Sequence, residues 1–182
     1  MVITSKKIFM LRILFATTFA LFLVGSSSAV MQSKEWGKLT FNDKSFVVML
    51  PEKPTVREYD EKTKGGQLHV INVSAYPNMS WAELTVRAIT ANFDEETDAR
   101  LDHLCSALIK EFDTRIVSQT EINLAAYKGR EVTAIGATKS LKAQAYVSGR
   151  KAFLVFATIP ASSADTDQID KFLNSFEINE KH

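Results

Sequence analysis

The run Ala152-Phe-Leu-Val-Phe-Ala157 is apolar at every position. A strand of this kind needs cover on both faces, so it belongs at the centre of a sheet with packing layers above and below. By contrast, Leu141-Lys-Ala-Gln-Ala-Tyr-Val147 alternates apolar and polar residues and is expected to have one wetter face. Any fold for this chain has to be built outward from the first segment.

The rest of the chain supplies strands in pairs, most of them separated by a turn signal. Trp36 to Phe41 and Phe46 to Leu50 alternate across Asn42-Asp-Lys-Ser45, and Pro51 and Pro54 end that hairpin. Thr55 to Tyr59 and Gln67 to Tyr76 flank Lys64-Gly-Gly66, and Tyr76-Pro-Asn-Met-Ser80 leads into a strand from Trp81 to Thr90. Asp94-Glu-Glu-Thr-Asp98 then loads a helix start with carboxylates, which suit the positive end of the helix dipole. Leu101, Leu104, Cys105, Leu108, Ile109 and Phe112 form its buried stripe, and the helix is expected to stop near Asp113. Strands follow over Arg115 to Asn123, Arg130 to Thr138, Leu141 to Ser148 and Lys151 to Ile159, with turns at Tyr127-Lys-Gly129, Lys139-Ser140 and Ser148-Gly-Arg150. A short closing helix carries Ile169, Phe172, Leu173 and Phe176 on one side. The pattern predicts an α+β fold: a largely antiparallel β-sheet flanked by one long helix and a short C-terminal helix.

The other end of the chain bears on location. Lys6, Lys7 and Arg12 precede the apolar run Ile13 to Val24, and Gly25-Ser-Ser-Ser-Ala29 follows it. A charged start, about a dozen apolar residues and small side chains at the cleavage positions match a secretory signal peptide, and the run is short for a span of about 20 residues. Cleavage is expected after Ala29, leaving residues 30–182 as a single exported domain, periplasmic or secreted and free of the membrane. Bacterial lipid attachment needs a cysteine just after the apolar run, and the only cysteine is Cys105.

The leader holds three of the 22 basic residues and none of the 21 acidic ones, which leaves 19 against 21, a net charge of −2 for residues 30–182. No surplus of cations drives this domain toward phosphate backbones, which argues against nucleic acid as a partner. A single cysteine cannot form an internal disulfide, so packing has to hold the fold in an oxidising compartment. Cys105 lies on the buried stripe with no basic group beside it, and is read as structural.

Three longer pieces carry a resemblance. The segments FNDKSFVVMLPEKPTV, INLAAYKGREVTAIG and GRKAFLVFATIP, the last followed by FLNSFEI, resemble small domains of the PsbP-like α/β/α sandwich group across most of residues 36 to 178. In those domains an F-x-V-x-L-P strand meets proline-spaced residues, a Y-x-G-R-E turn precedes a strand, and an aromatic-rich strand precedes a terminal helix ending in S-F. The resemblance implies the sandwich fold and a role in binding or assembly. Members include a lumenal photosystem protein and a nuclear factor that binds the GTPase Ran, neither of them an enzyme. The photosynthetic role does not carry over, because no motif of this chain ties it to a photosystem.

The search for chemistry leaves few candidates. Tyr127, Lys128, Gly129 and Arg130 would form a small anion site if they met Arg150 and Lys151 in space; the simpler reading is a turn in which Gly129 supplies positive φ. His69 is expected to be partly buried and bonded to backbone, His103 to be a solvated helix residue, and His182 is C-terminal, so no metal spacing arises. The acids Asp94, Glu95, Glu96, Asp98 and Asp102 fan around one helix start, where dipole complementarity explains them better than a cation site. Gly65-Gly66 lacks the further residues of a dinucleotide or phosphate loop, and no G-x-S-x-G presents a serine nucleophile. The sequons at Asn72 and Asn78 are discounted, since a glycan on Asn72 would obstruct a paired strand. No residue is assigned a catalytic, cofactor-binding or metal-binding role, and no cofactor is expected. The chain is read as an exported, non-enzymatic binding or assembly module that acts through a protein partner. The alternatives are a small-ligand carrier with an internal apolar pocket and a hydrolase with an unrecognised site.

Overall fold

A computed structural model describes residues 35–41, 45–51, 53–63, 66–77, 82–92, 96–161 and 166–179. The leader and its junction at Ala29, the turn residues Asn42 to Lys44, Lys64, Gly65, the sequon at Asn78, Trp81, Asp94, Glu95 and His182 lie outside the described residues.

The elements run β1 (Trp36–Thr40), β2 (Phe46–Pro51), β3 (Thr55–Thr63), β4 (Gly66–Ala75), β5 (Glu83–Thr90), α1 (Thr97–Glu111), β6 (Thr114–Leu124), β7 (Tyr127–Gly136), β8 (Lys139–Ser148), β9 (Lys151–Pro160), α2 (Asp167–Asn174) and β10 (Glu177–Ile178). Every strand pair is antiparallel. The fold is therefore α+β, with one long helix and one short C-terminal helix, as the sequence pattern predicts.

The main sheet has the order β3-β4-β5-β9-β8-β7-β6. It joins two meanders: β3 to β5 runs inward from one edge, α1 carries the chain to the far edge, and β6 to β9 runs back until β9 pairs with β5. The all-apolar segment becomes β9, the central strand. Its Phe153, Val155 and Ala157 enter one core while Ala152, Leu154 and Phe156 enter the other. Full burial of either phenylalanine is worth about 1.5–3 kcal/mol, and a strand of period two delivers one to each side.

One core lies under α1. Its Leu101, Cys105 and Leu108 are buried against Val132, Ala134, Leu141, Ala143 and Leu154. The helix ends where Phe112 bonds back to the Leu108 carbonyl at 3.2 Å and Asp113 turns to a left-handed φ of 49°. Arg87 of β5 clamps that end: its guanidinium donates to both Glu111 oxygens at 2.7 and 2.9 Å, its Nε donates to Asn72 Oδ1 at 3.0 Å, and it rests over the Phe156 ring. The Asn72 side chain is thus engaged on a paired strand.

The second core lies on the opposite face, under α2 and a small sheet of order β1-β2-β10. The first hairpin does not extend the main sheet; β2 instead takes the two-residue β10 on its free edge and lays Phe46, Val48 and Leu50 into the core. Phe46, Phe153, Phe176 and Tyr146 form a ring cluster with centroids 5.7 to 6.1 Å apart. Ser175 locks this layer, accepting from the Met49 N–H at 2.9 Å and donating to the Phe172 carbonyl at 2.6 Å. No helix among the described residues is long and apolar enough to cross a membrane.

Candidate functional site

The stretch LAAYKGREVT folds differently from the predicted turn. The turn is Ala125-Ala126, with Ala125 at a φ of 53°, and Leu124 pairs with Tyr127 directly across it. Tyr127, Lys128 and Gly129 are already in β7. The reason for Gly129 is space rather than φ: it sits between Ile122 and Tyr146, and a Cβ there would lie 2.5 Å from the Tyr146 ring and 2.8 Å from the Ala145 carbonyl oxygen. The following connection moves as well, falling at Ala137-Thr138 rather than Lys139-Ser140.

The two cations of that stretch face α1 and meet the helix acids. Arg130 is not a solvated flank: it is 8% exposed and pairs with Asp102, while Lys128 pairs with Asp98 at 3.6 Å. Asp98 and Asp102 are one helical turn apart, and Lys128 and Arg130 are two residues apart on one strand face, so the pairs stack as two rungs. Asp98 and Asp102, read as dipole partners, and Lys128 and Arg130, read as flanks of a turn, belong to one clasp between α1 and β7. Arg150, on the β8–β9 connection, and Lys151, the first residue of β9, lie at the same end of the sheet, with β8 between β9 and β7. There the Gly149 carbonyl accepts from the buried Arg100 at 2.8 Å.

The other candidates separate. Cys105 is buried, and loss of solvation pushes its thiol from 9.0 up to about 11. His69 is half-buried, but its ring nitrogens reach carboxylates rather than backbone: Asp60 at 2.9 Å and Glu58 at 3.3 Å, both on the neighbouring β3. Cross-strand pairing sets His69 opposite Asp60, which accounts for the contact. His103 is exposed on α1. Among the described residues no three His, Cys, Asp or Glu side chains gather to hold a metal.

Sequence reasoning passed over the β6 edge. The main sheet ends in β3 on one side and β6 on the other, and the two edges differ in chemistry. β3 carries Arg57, Glu58, Asp60, Glu61 and Lys62, a charged border that resists pairing with another strand. β6 carries only Arg115 and Glu121, with the uncharged run Ile116-Val-Ser-Gln-Thr120 exposed between them. A bulge between Ile116 and Ser118 leaves Val117 without a cross-strand partner. Ile116, Val117 and, on β7, Ile135 are 43, 57 and 37% exposed. Ile135 lines an open depression of about 450 Å³ together with Asp113, Thr114, Arg115, Gly136 and Ala137. At Gly136 the backbone runs close to the end of α1, since a Cβ there would lie 2.7 Å from the Asp113 carbonyl oxygen. The sequence signal was the adjacent pair Ile116-Val117, which breaks the strand's alternation.

Between the β6 edge and the second core runs a polar row. Tyr146 Oη donates to Gln144 Oε1 at 3.1 Å, and Gln144 Nε2 donates to Glu131 Oε2 at 3.0 Å. Burial, with the Glu131 charge second, pushes the Tyr146 hydroxyl up to about 12, so it stays a donor at neutral pH.

No family model matches the sequence, and no curated protein matches it. Among solved structures, a protein from Bacteroides thetaiotaomicron VPI-5482 superposes with a TM-score of 0.41 at 12% identity, over 79% of this chain and 48% of its own. Cyanobacterial PsbP (CyanoP) from Synechocystis sp. PCC 6803 superposes with a TM-score of 0.56 at 8% identity, over 80% of this chain and 94% of its own. This superposition shows the fold: the chain has the PsbP-like fold.

Proposed function

We propose that this protein is an exported, non-enzymatic binding or assembly module that holds a protein partner at the β6 end of its sheet. The observation that carries the proposal is that Ile116, Val117 and Ile135 are all exposed where β6 and β7 end, Ile116 and Ile135 on opposite faces of the sheet and Ile135 lining an open depression. Exposed apolar side chains concentrated at one sheet corner mark contact sites more often than scattered ones do. The N-terminal charged and apolar pattern supports export, and the PsbP-like fold is one on which binding roles are known.

The test places a photo-activated cross-linking residue at position 117 and, as a control, at position 59 on the charged edge, in the protein expressed in its native host. A discrete adduct with one second polypeptide from position 117 only, lost when Ile116 and Ile135 are both changed to Asp in a protein that still melts cooperatively, is the expected result. Equal labelling from both positions, or no adduct from position 117, would overturn the proposal.

A further inference from the structure

The other half of β6 specifies how such a partner docks. Ser118 to Leu124 pairs regularly with β7, and the two-residue turn at Ala125-Ala126 sets the phase of that pairing. A two-residue hairpin closes on a pair that exchanges both backbone bonds, here Leu124 with Tyr127, and in an antiparallel ladder such pairs alternate. Ile122, Thr120 and Ser118 therefore bond β7, while the N–H and C=O groups of Asn123, Glu121 and Gln119 point away from the sheet. These three outward positions lie on an exposed terminal strand.

Charge selects what fits there. Directly opposite Glu121, on β7, is Arg130, whose guanidinium is already held by Asp102, and Lys128 is held by Asp98. Glu121 is left with no ion pair among the described residues. A second copy of this chain meets a conflict: the two-fold register that uses all three outward positions sets Glu121 against Glu121, and like charges directly opposite are destabilising. A strand with a cation at that position has the opposite sign of interaction.

We infer that β6 accepts an extended segment of a partner protein by strand addition along Gln119 to Asn123, with a lysine or arginine of that segment opposite Glu121. This rests on the partner-binding reading above and adds its geometry: backbone bonds give the affinity and the Glu121 carboxylate gives the selection. The apolar step at Ile116 and Val117 lies beyond the end of the added segment.

The probe is the blocked peptide Thr-Val-Thr-Lys-Thr-Val-Thr, which reads the same in both directions, titrated by fluorescence anisotropy into the protein lacking residues 1–29. Three variants accompany it: Glu in place of Lys, N-methylation at Val, Lys and Val, and N-methylation at the outer Thr residues. The Lys peptide is expected to bind at least ten-fold more tightly than the Glu peptide, with the order reversed by Glu121→Lys. Methylation at Val, Lys and Val should abolish binding, whereas methylation at the outer Thr residues should leave it. Binding indifferent to both changes, no binding at all, or a concentration-dependent dimer that occludes the peptide would each overturn the inference. A partner adduct at position 117 that persists in Glu121→Lys while the peptide fails to bind would remove strand addition and leave the partner reading standing.

Discussion

At position 129 a hydrogen in place of a methyl group decides whether β7 and β8 can close up. Gly129→Ala sets a Cβ into the Tyr146 ring, and overpacking of this kind costs about 1–3 kcal/mol. The left-handed residue is Ala125, so Ala125→Gly should raise stability by about 0.5–1 kcal/mol. Urea unfolding of the two variants measures both, and a stabilising Gly129→Ala would mean the ring can step aside. Cys105 makes a second residue-level case. A hydroxyl buried in its place is expected to cost about 1–3 kcal/mol at neutral pH. The sign of the pH dependence follows from the raised thiol. The folded state keeps its proton up to about 11, whereas the unfolded chain releases it near 9.0, so the contribution of Cys105 is full below 9 and falls as pH rises toward 11. The stability gap between the parent and Cys105→Ser should therefore narrow above pH 9, which paired melts at pH 7, 9 and 10 would record.

Among elements, the α1–β7 clasp shows how one motif can be half legible. The carboxylates after Asp94 mark a helix start correctly, and α1 begins at Thr97. Their lateral role is invisible in sequence, because Asp98 and Lys128 are 30 positions apart and only the β7–α1 packing brings them together. The two rungs should respond differently to substitution. Lys128 and Asp98 are largely solvated, so Lys128→Ala should change stability by no more than about 0.5 kcal/mol. Arg130 buries its stem and head, so Arg130→Ala should cost about 1–3 kcal/mol. Thermal melts distinguish these, and equal small effects would place Arg130 back in solvent. The edges follow the same rule. Charge along β3 and its scarcity along β6 can be read from composition, but that these strands are the edges cannot, since edge status belongs to the pairing order.

For the molecule as a whole, stability depends on closing the small sheet over the second core. Phe176 follows α2, precedes β10 and meets three rings, those of Phe46, Tyr146 and Phe153. Phe176→Ala should cost about 3–5 kcal/mol, with the cooperativity of urea unfolding retained if the two cores unfold together. A biphasic transition in that variant would instead mean that the α1 core survives alone. The sandwich needs both layers because β9 is apolar on both sides, so loss of either one exposes phenylalanine to water.

The sequence by itself determined the number and kind of most elements, the buried stripe of α1, the centrality of Ala152 to Ala157 and hence the α+β sandwich. These rest on side-chain periodicity, which is local: period two and period 3.6 are written in neighbouring residues. Only the tertiary structure decided that β5 pairs with β9, that the first hairpin leaves the main sheet to pair with β10, and that β6 is an edge. It also decided that Gly129 belongs in a strand. A glycine is equally at home where the chain needs positive φ and where another group must come close, and the Tyr146 ring that selects between the two arrives from a different strand.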